Sequence, residues 1–497
     1  MTAYQELAAR AARMTAISNA QGILGWDNET LMPHGAAETR AESLAALALV
    51  HHDMICDPKL GDLLEEASGQ DGLDAWQQAN IREFRRSWLS ETALPPDLVE
   101  ASTKAVVRCE LRWRQARHED DFAGLLPSLA EVLRLQREIG KAKGEKLGLS
   151  TYDALLDQFE PGLTAERITV LFDDLAGFLP DFIGAVLDRQ ASEPAPVEPE
   201  GPFPIPIQKD LAKAFMTTVG FDFERGRLDE STHPFCGGAD NDVRITTRYD
   251  EARFASALLG VLHESGHALY EQGRPKDWLN QPVGRSRGMG VHESQSLIIE
   301  MQAARSHQFL SYAAPILREA FGGDGPAWTA DNLYRLYTRV SRSLIRVDAD
   351  EVTYPAHIIL RFRLEKAMIE DDLPLADLPA AWADAMDDLV GITPPDDRHG
   401  CLQDIHWPAG GWGYFPTYTI GAMTAAQMFD AAKRARTALP DCLAEGDFGP
   451  LVGWLRENVH GLGCLYEADE LLVRATGRPL DASIFETHLR QRYLDGG

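Results

Sequence analysis

Apolar residues recur every three to four positions along most of this chain. That spacing lays a hydrophobic stripe on one face of an α-helix. It predicts helices over residues 3–20, 36–51, 73–91, 97–117, 122–147, 164–189, 328–346 and 424–437. Thr164-Ala-Glu-Arg and Thr424-Ala-Ala-Gln resemble capping-box openings for two of them. Asp242 to Tyr249 breaks the period and alternates instead. Val243, Ile245 and Thr247 share one face, Asp242, Arg244, Thr246 and Arg248 the other, which predicts a strand. Its polar face suits either an extended peptide or open water. Proline clusters at Pro194–Pro206, read as a surface loop or a domain boundary. No internal repeat is present, so the chain is expected to be mainly α with a small β element.

One predicted helix carries chemistry. Ala257 to Gln272 contains His263-Glu264-Ser265-Gly266-His267, an H-E-x-x-H string. Histidines four apart stack on one helical face and can reach one metal ion, with Glu264 beside them as a base. Leu258, Leu259, Val261 and Leu262 precede the string, and Ala268 and Leu269 follow it. Such apolar flanks predict a buried helix, in which a glutamate between histidines is costly unless a metal pairs with the group. Gly273 reads as the residue that ends this helix, with Pro275 beyond.

A catalytic zinc site needs a third ligand and an open position. The run from Gly288 leads into a second predicted helix, Val291 to Arg305, holding His292 and Glu293. Adjacent helical residues point about 100° apart, so one of the two faces the metal. Glu293 is favoured, 26 residues after His267. Glu300, seven residues on, either orients a ligand histidine or forms a surface ion pair.

Composition narrows the setting. A chain of 497 residues with 44% hydrophobic content can bury a large core. A net charge of −28 argues against nucleic acid and anionic membranes as partners. No apolar run approaches a membrane span, and Met1 to Gln21 lacks the apolar centre of a secretory signal. The six cysteines are scattered without C-x-x-C spacing and read as reduced thiols. A cytoplasmic protein is expected.

Two later stretches look chemical. Ile345 to Tyr354 places Arg346 among acids, either a surface ion cluster or a clamp that grips a carboxylate bidentately. Gly400 to Tyr418 is rich in Gly, Trp and Tyr, and includes Gln403, Asp404, His406, Tyr414 and Tyr418. His406, Tyr414 and Tyr418 are candidate donors to a developing oxyanion, with no order among them.

Taken together, these segments resemble the M32 metallocarboxypeptidases, the thermostable carboxypeptidase Taq family. The resemblance rests on His263-Glu-Ser-Gly-His267, Asp242-Val-Arg-Ile-Thr246, His292-Glu-Ser294, Ile345-Arg-Val-Asp-Ala-Asp350 and Gly400-Cys-Leu-Gln-Asp-Ile-His-Trp407, in that family's order. Gly25 to Pro33 also looks like its opening. Cys236 and Leu297 depart from the commoner family residues, which touches packing or substrate fit rather than chemistry. The resemblance implies a mainly helical fold of the angiotensin-converting enzyme and neurolysin type, with a groove and a small sheet beside it. One mostly helical domain over 1–497 is expected, with two lobes flanking the cleft as a variant.

The resemblance further implies zinc on His263, His267 and Glu293, Glu264 as base, and a homodimer. It places Asp242, Arg244, Thr246, Arg346, Gln403 and Asp404 near the substrate. The expected activity is release of single C-terminal residues from peptides with a free C-terminus, with broad specificity; Co2+ or Mn2+ are possible substitutes for Zn2+. Arg346 is the first choice for the α-carboxylate and Arg244 the second. The rivals are an endo- or dipeptidyl-peptidase on the same zinc core, and an idle peptide-binding scaffold.

Overall fold

Capping decides where the first long helix begins. The Thr2 hydroxyl accepts from the Gln5 N–H, the Gln5 side chain accepts from the Thr2 N–H, and the helix runs Ala3–Thr30. The structure is a computed structural model that describes residues 1–495. It is mostly helical. Ala37–Ile55, Ala75–Thr92, Pro96–Glu119, Phe122–Leu147 and Ala165–Ser192 follow the predicted spans to within a few residues. Thr164 does cap its helix, accepting from the Arg167 N–H at 3.3 Å.

The first helix runs ten residues past its predicted end at residue 20, and three further boundaries differ from the sequence reading. The stretch 328–346 is not one helix: Ala330–Tyr337 is helical, and the chain then runs irregularly to a short turn at Arg346–Asp348. The cause is competition for backbone donors. Gln190 Oε1 takes the Val340 N–H and Asp350 Oδ2 takes the Ser341 N–H, so neither is free for an intrahelical bond. Thr424 opens nothing, because its helix starts at Pro416 and runs to Ala435, leaving Thr424 buried inside it. Proline at a first helical turn forfeits no bond there. Gly273 is the last helical residue rather than a left-handed terminator. His460 packs where its Cβ would be, 2.7 Å away.

Three strands form the sheet: β1 (Gly226–Glu230), β2 (Cys236–Ala239) and β3 (Asp242–Thr247). β3 is central, parallel to β1 with Gly226 opposite Val243, and antiparallel to β2 with Cys236 opposite Ile245. Val243 and Ile245 are buried as the alternation predicts. Thr246 is buried too, because its hydroxyl accepts from the Phe235 N–H at 3.0 Å and the Ser231 hydroxyl at 2.7 Å. Val243 and Ile245 pack with Val261 and Ala268, so the sheet sits on the helix that carries the two histidines.

A large core joins helices from residue 105 to 493, and a separate cluster around Leu7, Leu60, Leu64 and Phe84 holds the N-terminal helices. The proline-rich stretch is strapped down by Asn332, which both donates to and accepts from the Val197 backbone at 2.8 Å. Among the described residues no helix is long and apolar enough to cross a membrane.

Candidate active site

His263 and His267 lie on Phe254–Gly273, and Glu293 on Met289–Leu297. Gly266 lets these two helices approach. A Cβ there would meet the Gln295 carbonyl oxygen at 2.3 Å and Ser296 Cα at 2.5 Å. The second helix continues as a seven-residue π-helix, Ile298–Ala304. Its wider turn carries Glu300, and such segments recur at functional sites.

Each histidine is oriented by a different acceptor. His263 Nδ1 lies 3.0 Å from Glu300 Oε2. His267 Nδ1 donates to the His292 carbonyl at 3.1 Å. A carbonyl can only accept, so the His267 proton sits on Nδ1 and the Nε2 lone pair is left facing inward. The two Nε2 atoms lie 3.9 and 3.5 Å from Glu293 Oε2. One ligand atom from each of the three residues falls within 4.8 Å of the others. Two inward lone pairs and a carboxylate oxygen at this separation fit a divalent ion. His292 is turned away: its Nε2 meets Glu271 Oε1 at 3.0 Å, and its ring stacks on His267 at 4.6 Å.

The charges reinforce this arrangement. Burial works against the Glu293 carboxylate, yet His263 and His267 hold it below its ordinary range. Glu300 is likewise held down to about 2 by Arg305 and His263 despite burial. Burial pushes Glu264 up to about 7, where a carboxyl can take and return a proton near neutrality. Without a cation the two histidines diverge. Burial takes His267 to about 4, while Glu293 and Glu300 overcome burial at His263 and carry it to about 10.

The downstream residues gather at the same place. Arg346 is 6% exposed and donates through Nε and Nη2 to Asp404 Oδ1 and through Nη1 to the Tyr354 hydroxyl. Its backbone N–H donates to Gln403 Oε1 at 2.9 Å. The guanidinium lies 5.1 Å from the Tyr418 ring centre. His406 Nε2 is 3.3 Å from the Tyr418 hydroxyl, and the Tyr414 and Tyr418 rings are 5.3 Å apart. Burial and the Glu293 charge both raise the hydroxyls of Tyr354, Tyr414 and Tyr418, and Tyr354 lines the same cavity as His263 and Glu293. A cavity of about 260 Å3 opens beside the triad, bounded by Leu297, Met301, Val347, Tyr354 and Ala422.

Asp242, Arg244 and Thr246 are engaged on the sheet. Arg244 donates to both Asp242 oxygens and lies over Trp26 at 4.6 Å, and Thr246 holds the Phe235 turn.

The sequence profile of the Carboxypeptidase Taq (M32) metallopeptidases matches residues 6–493. The chain belongs to the M32 family. It is 37% identical to thermostable carboxypeptidase 1 of Thermus thermophilus, over 99% of this chain and 98% of that one. Among solved structures it is similar to metallocarboxypeptidase 1 of Trypanosoma cruzi, 41% identical with a TM-score of 0.97 over 99% of each chain. The M32 carboxypeptidase of Deinococcus radiodurans R1 is 35% identical with a TM-score of 0.94, again over 99% of both. M32 membership makes the chain a carboxypeptidase, a peptide hydrolase that works with a divalent metal.

Tyr354 and Arg361 were not singled out from sequence. Arg361 is fully buried and donates to Asp404 Oδ2 at 2.7 Å, sharing that carboxylate with Arg346. Its partner is 43 residues away, and no local spacing could announce the pair.

Proposed function

We propose that this chain is a zinc-dependent carboxypeptidase that removes single residues from peptide C-termini with broad specificity. The observation that carries the reading is the convergence of His263, His267 and Glu293 beside Glu264. Two histidines, one carboxylate and an open position suit zinc, with cobalt or manganese as substitutes. When bound, the ion supplies a Lewis acid that lowers the pKa of water toward ~7.

The chain's own residues do the rest. Glu264 takes the proton of the attacking water and passes it to the leaving nitrogen as the peptide bond breaks. Tyr414, Tyr418 and His406 supply donors to the oxyanion of the tetrahedral intermediate. Arg346 receives the substrate α-carboxylate. Three of its five N–H donors are engaged, so two remain for a bidentate grip. Arg244 is the second choice, and Asp242, Thr246, Gln403 and Asp404 hold the arginines and their loops in place. Six free cysteines support a reducing, cytoplasmic setting. A homodimer is carried over from the family resemblance.

The test is a time course on a mixed peptide library, read by mass spectrometry with and without a chelator. A ladder of single-residue losses that stops on chelation is expected. Internal cuts or paired losses would replace this reading with an endo- or dipeptidyl-peptidase, and chelator-insensitive cleavage would remove the metal from it.

A further inference from the structure

Glu160 is an acid the reaction does not use. It is 3% exposed, and none of the described cations pairs with it. One carboxylate oxygen accepts from the Gly290 N–H. Gly290 is in the first turn of Met289–Leu297, the helix that carries Glu293. The preceding residue acts on the same turn, for the Met289 N–H donates to the Phe159 carbonyl at 2.8 Å. First-turn N–H groups have no partner inside their own helix, so their acceptor must come from elsewhere in the fold. The contact leaves no slack. A Cβ at position 290 would lie 2.7 Å from Glu160 Oε1 and 3.0 Å from Ile420.

The same turn reaches the other side of the site. The Phe159 ring meets the Tyr414 ring edge-on at 4.9 Å. Burial pushes the Glu160 carboxyl up to about 8, against the pull of the Gly290 N–H. An apolar residue at this position could not accept from the helix start.

We propose that the Phe159–Glu160 turn is a positioning element: Glu160 fixes the start of the Glu293 helix, and Phe159 fixes Tyr414. The proposal rests on Glu293 being a metal ligand.

The test measures zinc affinity by competition with a chromogenic chelator, alongside thermal melting and steady-state kinetics. Glu160→Ala should weaken zinc binding roughly 10- to 100-fold, the range for groups that orient a ligand. Glu160→Gln keeps an acceptor oxygen and should restore affinity to within about threefold. Leu64→Ala, in the separate N-terminal cluster, should lower the melting temperature without changing zinc affinity. Phe159→Ala should lower kcat several-fold at unchanged zinc affinity. Glu293→Ala is the reference and should lose zinc.

Wild-type zinc affinity in folded Glu160→Ala overturns the positioning of the helix, as does a Gln variant as weak as the Ala variant. An unchanged kcat in Phe159→Ala overturns the Tyr414 half. If Glu293→Ala also keeps its zinc, the ligand assignment is what has failed. Should Glu160→Ala not fold, Gly290→Ala answers the same question, with weakened zinc expected and unchanged zinc overturning the proposal.

Discussion

The metal end and the arginine end of this site are built by opposite means. At the metal end, two neighbouring helices supply His263, His267 and Glu293, and each histidine has a single orienting acceptor. At the arginine end, Arg346 from a short turn, Tyr354 and Arg361 from the helix Tyr354–Ile369, Asp404 from a loop and Tyr418 from the helix Pro416–Ala435 lock into a buried charge cluster. The first is a geometry that a hydrogen bond tunes. The second is a desolvated ion network, in which losing one member strands another. Substitutions of Glu264 and of the His263, His267 and Glu293 side chains should therefore act on chemistry and metal at nearly constant stability, whereas those at the arginine end should act on binding and stability together.

Glu264→Gln gives the largest effect expected. It keeps the shape of the motif helix and removes the base, so kcat should fall about 10²- to 10⁴-fold with zinc content unchanged. Near-normal turnover with metal bound would take Glu264 out of the reaction. Tyr414→Phe and Tyr418→Phe come next. Loss of an oxyanion donor costs about 10²- to 10³-fold in kcat. The Tyr418 hydroxyl meets His406 at 3.3 Å, so Tyr418→Phe should also disturb His406. If both phenylalanine variants stay within about twofold of wild type, neither the Tyr414 nor the Tyr418 phenol donates in the transition state.

The two ends also differ in how far the sequence revealed them. The convergence of His263, His267 and Glu293 was legible because a helix turns spacing into direction: His263 and His267 share a face, and Glu293 lies on the neighbouring helix. Even there the π-helix was not foreseen, because Ile298 to Ala304 reads as ordinary helical periodicity. The same limit explains 328–346, where Gln190 and Asp350 reach in from outside the stretch to take its N–H groups. At the arginine end the sequence pointed to the segments that meet there but not to their pairing. Asp404 is shared by Arg346 and Arg361 across 58 and 43 residues, contacts only the folded chain creates. Glu160 was invisible for the same reason, being 130 residues from the N–H it holds.

Arg346→Ala sharpens the contrast. Losing a charge-assisted contact should raise KM for free-acid peptides by roughly ten- to a hundredfold and leave C-terminally amidated peptides little affected. It should also cost about 3 kcal/mol of stability, the low end for breaking a buried pair, because Arg361 still faces Asp404. Equal kinetic effects on both peptide types would move carboxylate recognition to Arg244. A large KM change without any loss of stability would contradict the network view of this end.

Glu300→Gln tests the metal end against its own asymmetry. His263 leans on a carboxylate, His267 on a neutral carbonyl. Replacing Glu300 should weaken zinc about 10- to 100-fold, an effect read as affinity rather than as turnover of the loaded enzyme. The same variant has a pH signature. Arg305 and His263 hold the folded Glu300 near 2 against an ordinary value of 4.5. Its contribution to stability is therefore complete above about pH 4.5 and is lost as the pH falls toward about 2. Glutamine has no proton to gain, so the variant should start less stable at neutral pH and lose less between pH 6 and pH 3. Thermal melts of the metal-free proteins across that range would show the two curves converging. Parallel curves would mean that the carboxylate charge does not stabilise this end, leaving hydrogen-bond geometry alone to hold His263.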